Sequence, residues 1–442
     1  MFAMKNPAQP SRVRQFIHAT VTGVVFMVVY GGTSWLTSIR APVPTIYFEW
    51  ERYIPFLPWM VIPYMSIDVF FVTAPFLCTT QSELQLLSRR IVFAIVVAGT
   101  CFLLYPLQLA VERPIASGTM GEIYNWFCSL DCPYNLCPSL HIELRTLLAY
   151  TFAKHTRGMT NILMHGWFSL IGFSTLTLYQ HHVIDIAGGF VLAIFCFYLI
   201  RTEPILLPVV PNFRVSMIYS CMIAVCVTAI VLVWPLGLVF VWPAIGLSLL
   251  VAGYLGAGPG LFRKSDGSIP LSAKIVLAPL LIGQWLSLRY YLRQCRAWDR
   301  VTDRVWIGRI LTDDEAGNAV RQGVTHVLDL TAEFSEAKPF RNCAYRNLQV
   351  LDLTAPTQDQ LQQAVSFVDK AQQAGTVYVH CKIGYSRSAA VICAWLLSTR
   401  RTRSVKEAID HLRFVRPSVV IRPEILIALN THQEKWVAGN TA

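Results

Sequence analysis

The chain has 442 residues, of which 54% are hydrophobic and only 14% charged, with a formal net charge of +11. Ordinary soluble proteins carry about 25% charged residues, so this composition excludes a wholly soluble chain, and the length argues for two or more domains. The basic excess fits loops that face anionic lipid; no nucleic-acid-binding motif accompanies it, and no nucleic acid is expected as a partner.

Residues 17–36, 55–77, 91–110, 139–155, 159–178, 183–200, 215–233 and 236–256 are apolar runs. Each is near the length of about 20 residues that crosses a bilayer. The first comes after Lys5, Arg12 and Arg14 and has no small-residue cleavage site, so it reads as an uncleaved span. A ninth run, Ile275–Leu288, is shorter and interrupted by Pro279 and Gln284. Cationic residues orient the array. Lys5, Arg12, Arg14, Arg89, Arg90, Lys154, Arg157 and Arg201 fall on the cytoplasmic side, while Glu112, Glu122 and Asp131 mark an outer loop. Eight spans bring the chain back inside, where Arg289, Arg293, Arg296, Arg300 and Arg304 hold the C-terminal domain. Should the ninth run cross, that domain lies outside. In FCSLDCPYNLC, Cys128, Cys132 and Cys137 offer one disulfide in an oxidising compartment; their spacing does not fit a zinc site.

From about Gln294 the composition becomes that of a soluble domain. VWIGRI, VTHVLDL, NLQVLDL and TVYVH read as strands, and Gln358–Ala374, Ser388–Ser398 and Ser404–Val415 as helices. Alternating strands and helices predict a mixed α/β layer fold.

Within it, VHCKIGYSRSAA (379–390) places Cys381 after an apolar strand and Arg387 six positions on, before a helix. Backbone N–H groups of such a loop can turn inward at a helix N-terminus and cradle an anion. Arg387 supplies a two-pronged phosphate contact, and that positive field favours the Cys381 thiolate as a nucleophile. Gly384 permits close backbone approach, Ser386 belongs to the cradle, and Ser388 can hydrogen-bond the sulfur. Asp352, at the end of NLQVLDL, is the candidate acid for the departing oxygen, with Asp329 as its competitor. Lys382 is either a second cation for a highly charged headgroup or a solvated surface lysine. The ordinary alternative is a buried core cysteine beside an unrelated arginine. These residues, with RVWIGRIL, GVTHVLDLTAE and FVRPSVV, resemble the dual-specificity branch of the protein tyrosine phosphatases over about Arg300 to Val437. The resemblance implies Cys381 as nucleophile, Arg387 as phosphate binder and Asp352 as general acid. The Cys-Lys-x-Gly start resembles members that act on lipid phosphates, and Tyr385 departs from the basic residue often found there.

Three earlier stretches fall on one predicted membrane face: Arg113-Pro114, the segment Cys137 to His141, and Tyr179 to Asp185. Ionisable groups there are costly and usually functional. His181 and Asp185 share a helix face, so Asp185 can orient a nucleophilic imidazole. His141 can protonate a leaving group and Arg113 can hold phosphate. His182 competes with His181, and boundary histidines are often merely polar. PSLH and HxxxD resemble the inositolphosphotransferase-like branch of the type 2 phosphatidic acid phosphatases over roughly residues 17–200. That resemblance implies His181 as nucleophile, Asp185 as its partner and His141 as acid. Pro106 and Ser174-Thr175 stand where the family has a lysine and a Ser-Arg pair.

The expected architecture is an N-terminal polytopic α-helical membrane bundle with a C-terminal α/β dual-specificity-phosphatase-like domain. Residues 15–203 would form the six-helix membrane domain, 204–293 further helices and a linker, and 294–437 the phosphatase domain. The halves together resemble bacterial fusions of these two families, which implies an inner-membrane phosphatase with a cytoplasmic catalytic domain. The expected partners are the bilayer and a phosphorylated lipid or phosphoprotein, and neither site is expected to need a metal or cofactor. Four readings stay open: a lipid phosphatase with a second, histidine-based site; a membrane-anchored tyrosine or dual-specificity phosphatase; a headgroup transferase coupled to a phosphatase; and a phospholipid-binding scaffold with inactive sites. Oligomeric state is not legible.

Overall fold

The computed structural model describes residues 9–40, 42–204 and 206–441, with side chains through Trp436. Lys5 lies outside the described residues. The chain divides into one compact unit ending at Thr202 and another beginning at Glu203.

The first unit is helical: α1 (Arg12–Ser38), α2 (Val61–Leu77), α3 (Gln81–Leu104), α4 (Gly118–Leu130), α5 (Leu140–His155), α6 (Gly158–Thr177) and α7 (Val183–Leu199). Ile91, Ile95, Leu147, Leu148, Phe168 and Ile171 build its apolar core. Two expectations are corrected. The third apolar run stops being helical at Leu104, so Arg113 lies in the loop after it and does not end a span. Helix α4 forms within the loop assigned to the outer side, and Cys128, Cys132 and Cys137, which offered one disulfide, are free thiols.

The second unit opens with α8 (Phe213–Leu232), α9 (Val241–Ala252), α10 (Leu271–Val276) and α11 (Ala278–Leu292). Among the described residues five helices are long and apolar enough to cross a membrane: Arg12–Ser38, Pro58–Leu77, Gln81–Leu104, Phe213–Leu232 and Leu236–Ala257. The ninth apolar run is broken at Leu277: Ile275 and Val276 end α10, and α11 starts at Ala278 with Pro279 in its first turn. The 15 residues of α11 span only about 22 Å, short of the roughly 30 Å of bilayer hydrocarbon.

A sheet completes the unit, built from β1 (Trp298–Arg300), β2 (Val305–Arg309), β3 (Val324–Asp329), β4 (Ala344–Asn347) and β5 (Thr376–Cys381). Its order is β1-β2-β5-β3-β4, parallel throughout except for β1. Helices α12 (Asp313–Arg321) and α13 (Lys338–Arg341) cover one face. Helices α14 (Gln358–Ala374), α15 (Arg387–Ser398), α16 (Val405–Val415) and α17 (Pro423–Thr441) cover the other. Central β5 is buried from Val377 onward and apolar through Val379, as expected of a strand covered on both faces. NLQVLDL is not a strand. The ladder ends at Asn347, and the apolar Val350 and Leu351 are buried as an irregular segment carrying Asp352 in a turn.

Candidate functional site

Cys381 is the last residue of β5, at the C-terminal edge of the parallel sheet, where α/β folds place ligands. The loop Lys382–Ser386 then runs into α15, whose residues from Arg387 to Leu397 are all buried. The loop is shaped by what its carbonyls meet. Lys382 O accepts from Ile310 N at 3.2 Å. Arg416 donates to Ile383 O at 3.2 Å and to Gly384 O at 3.1 Å, and is itself fixed by Asp299 at 2.7 Å. The backbone N–H groups of Gly384 in the loop and Ser388 in the first turn of α15 favour the charged form of Cys381. Gly384 has φ +73°, and a Cβ there would lie 2.6 Å from Gly308 O, so no larger residue fits without displacement.

Cys381 Sγ lies 3.4 Å from Ser388 Oγ. Burial alone would raise the thiol pKa, but Arg387, Ser388 and the loop amides outweigh it and hold the thiol below its ordinary value. Arg387 is clamped in turn by Glu333, which takes both guanidinium nitrogens at 2.6 and 3.1 Å, and by Val350 O at 2.8 Å. Neither Glu333 nor Arg416 was singled out from sequence. Both were visible only as members of the quoted TAE and FVRPSVV stretches.

Asp352 faces this loop, with Oδ1 3.3 Å from Arg387 and Oδ2 3.8 Å from Lys382. Burial would raise its pKa, yet these two cations keep the carboxyl below the usual range. Its turn is propped from the helical segment: Tyr254 donates to Asp352 O at 2.8 Å and Asn212 to Leu353 O at 2.8 Å. Leu353 adopts a left-handed φ of 61° there. Lys382 is not a solvated lysine. It is buried and donates to Gln284 Oε1 at 2.7 Å and Ser287 Oγ at 2.9 Å on α11, and burial pushes its ammonium pKa down.

Asp329, the competing acid, is buried away from this site. Lys264 Nζ meets its Oδ2 at 2.5 Å and Tyr345 donates to the same oxygen at 2.7 Å. His380 Nε2 pairs with Glu336 at 2.7 Å. Asp329, Glu336 and His380 lie close enough together to hold a metal ion. The charge such an ion would bring is already supplied by Lys264 and protonated His380, so the set does not fit one.

The cavity above Cys381 has a volume of about 560 Å³. Its floor is Cys381, Lys382, Ser386, Arg387 and Asp352, with Arg422 beside it. Its walls come from Tyr219 and Met222 of α8, Leu247 of α9, and Leu280 and Gly283 of α11.

In the first unit, the three polar stretches do meet. Ser139 N donates to Asp185 O at 2.9 Å, joining the starts of α5 and α7. Arg113 donates to Gln180, next to His181, at 2.6 Å and to Asp131 at 2.8 Å. His141 stacks on Tyr64 with ring centroids 4.2 Å apart, and its Nε2 makes no hydrogen bond among the described residues. Asp185 and His181 are brought together, at ion-pair rather than hydrogen-bond distance. Asp185 Oδ2 accepts from His182 N at 2.8 Å and stands 3.6 Å from His181 Nδ1, where a small rotation of either side chain would close the bond. Competing His182 has both ring nitrogens engaged, by Glu51 at 2.8 Å and Ala110 N at 3.1 Å.

A buried thiol with a lowered pKa, an arginine beside it and a facing carboxylate are the groups that a cysteine-dependent phosphatase needs. Residues 314–435 match the family "Dual specificity phosphatase, catalytic domain", and the chain carries a phosphatase domain of that type. It is 28% identical over 165 residues to the Arabidopsis thaliana phosphatidylglycerophosphate phosphatase PTPMT2, covering 35% of this chain and 70% of that protein. It is 38% identical over 96 residues to the Homo sapiens phosphatidylglycerophosphatase and protein-tyrosine phosphatase 1, covering 21% of this chain and 47% of that one. Among solved structures, that of PTPMT1 is 26% identical with a TM-score of 0.30, covering 33% of this chain and 98% of that chain.

Proposed function

We propose that the chain is an integral membrane phosphatase that hydrolyses a lipid phosphomonoester at Cys381. The observation that carries this reading is the sulfur held by amides, Ser388 and Arg387 at the floor of a cavity with apolar walls. The names of the Arabidopsis and human relatives support a phosphatidylglycerophosphate-like substrate. The five long apolar helices support membrane residence.

The Cys381 thiolate attacks phosphorus, the S–P bond forms, and the ester P–O bond breaks as Asp352 gives its proton to the departing oxygen. Water then attacks the phosphocysteine, Asp352 takes its proton, and the S–P bond breaks to release inorganic phosphate. Ser388 steadies the leaving sulfur. Arg387 and the loop amides bind the equatorial oxygens as charge shifts. Gly384 and Ser386 shape that cradle, and Lys382 adds a cation on its α11 side. A bound dianion draws Arg387 away from Asp352 and repels the carboxylate, so substrate itself raises the acid's pKa toward the protonated form it needs.

The histidine cluster is proposed as a second phosphate-handling site, with His181 as nucleophile, Asp185 as its orienting partner, His141 as acid and Arg113 as phosphate binder. The engagement of both His182 ring nitrogens favours His181 for the first role. Rapid quench with phosphorus-labelled substrate tests the main reading. A labelled thiophosphate ester is expected on the wild-type chain and absent from Cys381→Ser; label retained in that variant contradicts it.

A further inference from the structure

One face of α11 runs along the cavity. Leu280, Gly283, Gln284, Ser287 and Tyr291 recur at three- and four-residue intervals, so they share that face. The face is graded. Tyr291 meets the Tyr385 ring of the catalytic loop at 6.3 Å, and Ser287 and Gln284 hold Lys382. Gly283 and Leu280 lie farther along, in a cavity also lined by Tyr219 and Met222 of α8 and Leu247 of α9. The distance from Tyr291 to Leu280 along the helix is about 16 Å, much more than a phosphate and its ester oxygen occupy. The cavity is therefore amphiphilic, with thiol and cations at one end and hydrocarbon-like walls at the other.

We propose that this apolar end is an acyl-chain subsite, so that the Cys381 centre takes glycerolipid phosphates whose hydrocarbon lies between α8, α9 and α11. The inference rests on the phosphatase reading above and deepens it. The helices that build the subsite suit this use. Met222 on α8 is 47% exposed, and α11 buries none of its residues, so their apolar side chains are not consumed as core. At Gly283 a Cβ would meet nothing within 4 Å, which leaves open space in the wall where a chain would pass. A phosphomonoester bound at Cys381 cannot avoid these walls if it carries a long tail.

The test uses the full chain and monomeric substrates below their micellar concentrations: glycerol 3-phosphate, a series of monoacylglycerol phosphates of increasing chain length, p-nitrophenyl phosphate and a phosphotyrosine peptide. Burying a methylene is worth about 0.8 kcal/mol, so kcat/KM should rise roughly fourfold per added methylene until the subsite is filled. Gly283→Phe places a ring in the open space, and the ratio of long-chain to glycerol 3-phosphate kcat/KM should fall at least about tenfold. Met222→Trp, on the opposing wall, should lower the same ratio and stands in if the first variant does not fold. A flat chain-length series, a ratio unmoved in both variants, or a peptide turned over faster than any acyl substrate overturns the subsite while leaving the phosphatase intact. No hydrolysis of any phosphomonoester, p-nitrophenyl phosphate included, overturns the phosphatase reading itself.

Discussion

Gln284 Oε1 accepts a hydrogen bond from Lys382 Nζ at 2.7 Å, so the residue after the reactive cysteine is fastened to an apolar helix. The polar interruption in the ninth run is thus part of the catalytic surroundings. Lys382 is also 3.8 Å from Asp352, which links α11 to the proposed general acid. Gln284→Leu leaves Lys382 with Ser287 alone on α11. It should raise KM for a lipid phosphate about three- to tenfold, because Lys382 is then less firmly placed for the phosphate, with little change in melting temperature. Steady-state kinetics beside a thermal melt checks this.

In its proposed role as general acid Asp352 must be protonated, yet Arg387 and Lys382 depress its pKa in the free site. The basic limb of kcat/KM, which reports free enzyme, should therefore lie at lower pH than that of kcat, which reports the complex. Asp352→Asn should abolish this limb. It should cost about 10²-fold or more in kcat on an alkyl phosphate and much less on p-nitrophenyl phosphate, whose leaving group needs no proton. Equal losses on both substrates would point to a different acid.

Much of this centre was legible because its chemistry is local. Cys381, Ser388 and Arg387 fall within eight residues, between a strand and a helix that announce themselves by pattern. What escaped depends on distant partners. Glu333 reaches Arg387 across 54 positions, Arg416 reaches Gly384 across 32, and Lys264 reaches Asp329 across 65. The strand assigned to NLQVLDL failed for another reason. Its apolar residues are buried, but Val350 O serves Arg387 and Leu351 O serves Thr354, and neither joins a ladder. In the first unit, Glu51 was unreadable as the partner of His182 because 131 positions separate them.

Lys264 enters the phosphatase core from the segment after α9, with its ammonium fully buried against Asp329 and Thr331. Removing one member of a buried ion pair leaves the other uncompensated. Lys264→Met should destabilise the chain by about 3–5 kcal/mol, and adding Asp329→Asn should recover part of that loss. Chemical denaturation of the two variants decides it; a double variant no more stable than Lys264→Met would argue against the pairing.

His380 sits between two carboxylates. Burial alone would lower its pKa, but Glu336 and Asp329 push it up to about 8 from the ordinary 6.5. Its charged form therefore stabilises the fold fully below about pH 6.5 and ceases to do so as pH rises through about 8, a loss of about 2 kcal/mol. The depressed Cys381 thiol acts in the opposite direction over neighbouring pH, so the measurement belongs in a Cys381→Ser background. There, stability should fall between pH 6.5 and 9, and His380→Asn should flatten the curve.

The central claim is that Cys381 removes phosphate from a lipid. The most direct measurement is inorganic phosphate release by the full chain reconstituted in vesicles that carry phosphatidylglycerophosphate, with a phosphotyrosine peptide supplied in parallel. Release from the lipid is expected for wild type and for His181→Ala, and lost in Cys381→Ser. Phosphate released from the peptide alone, or lipid turnover that survives Cys381→Ser, would contradict the account.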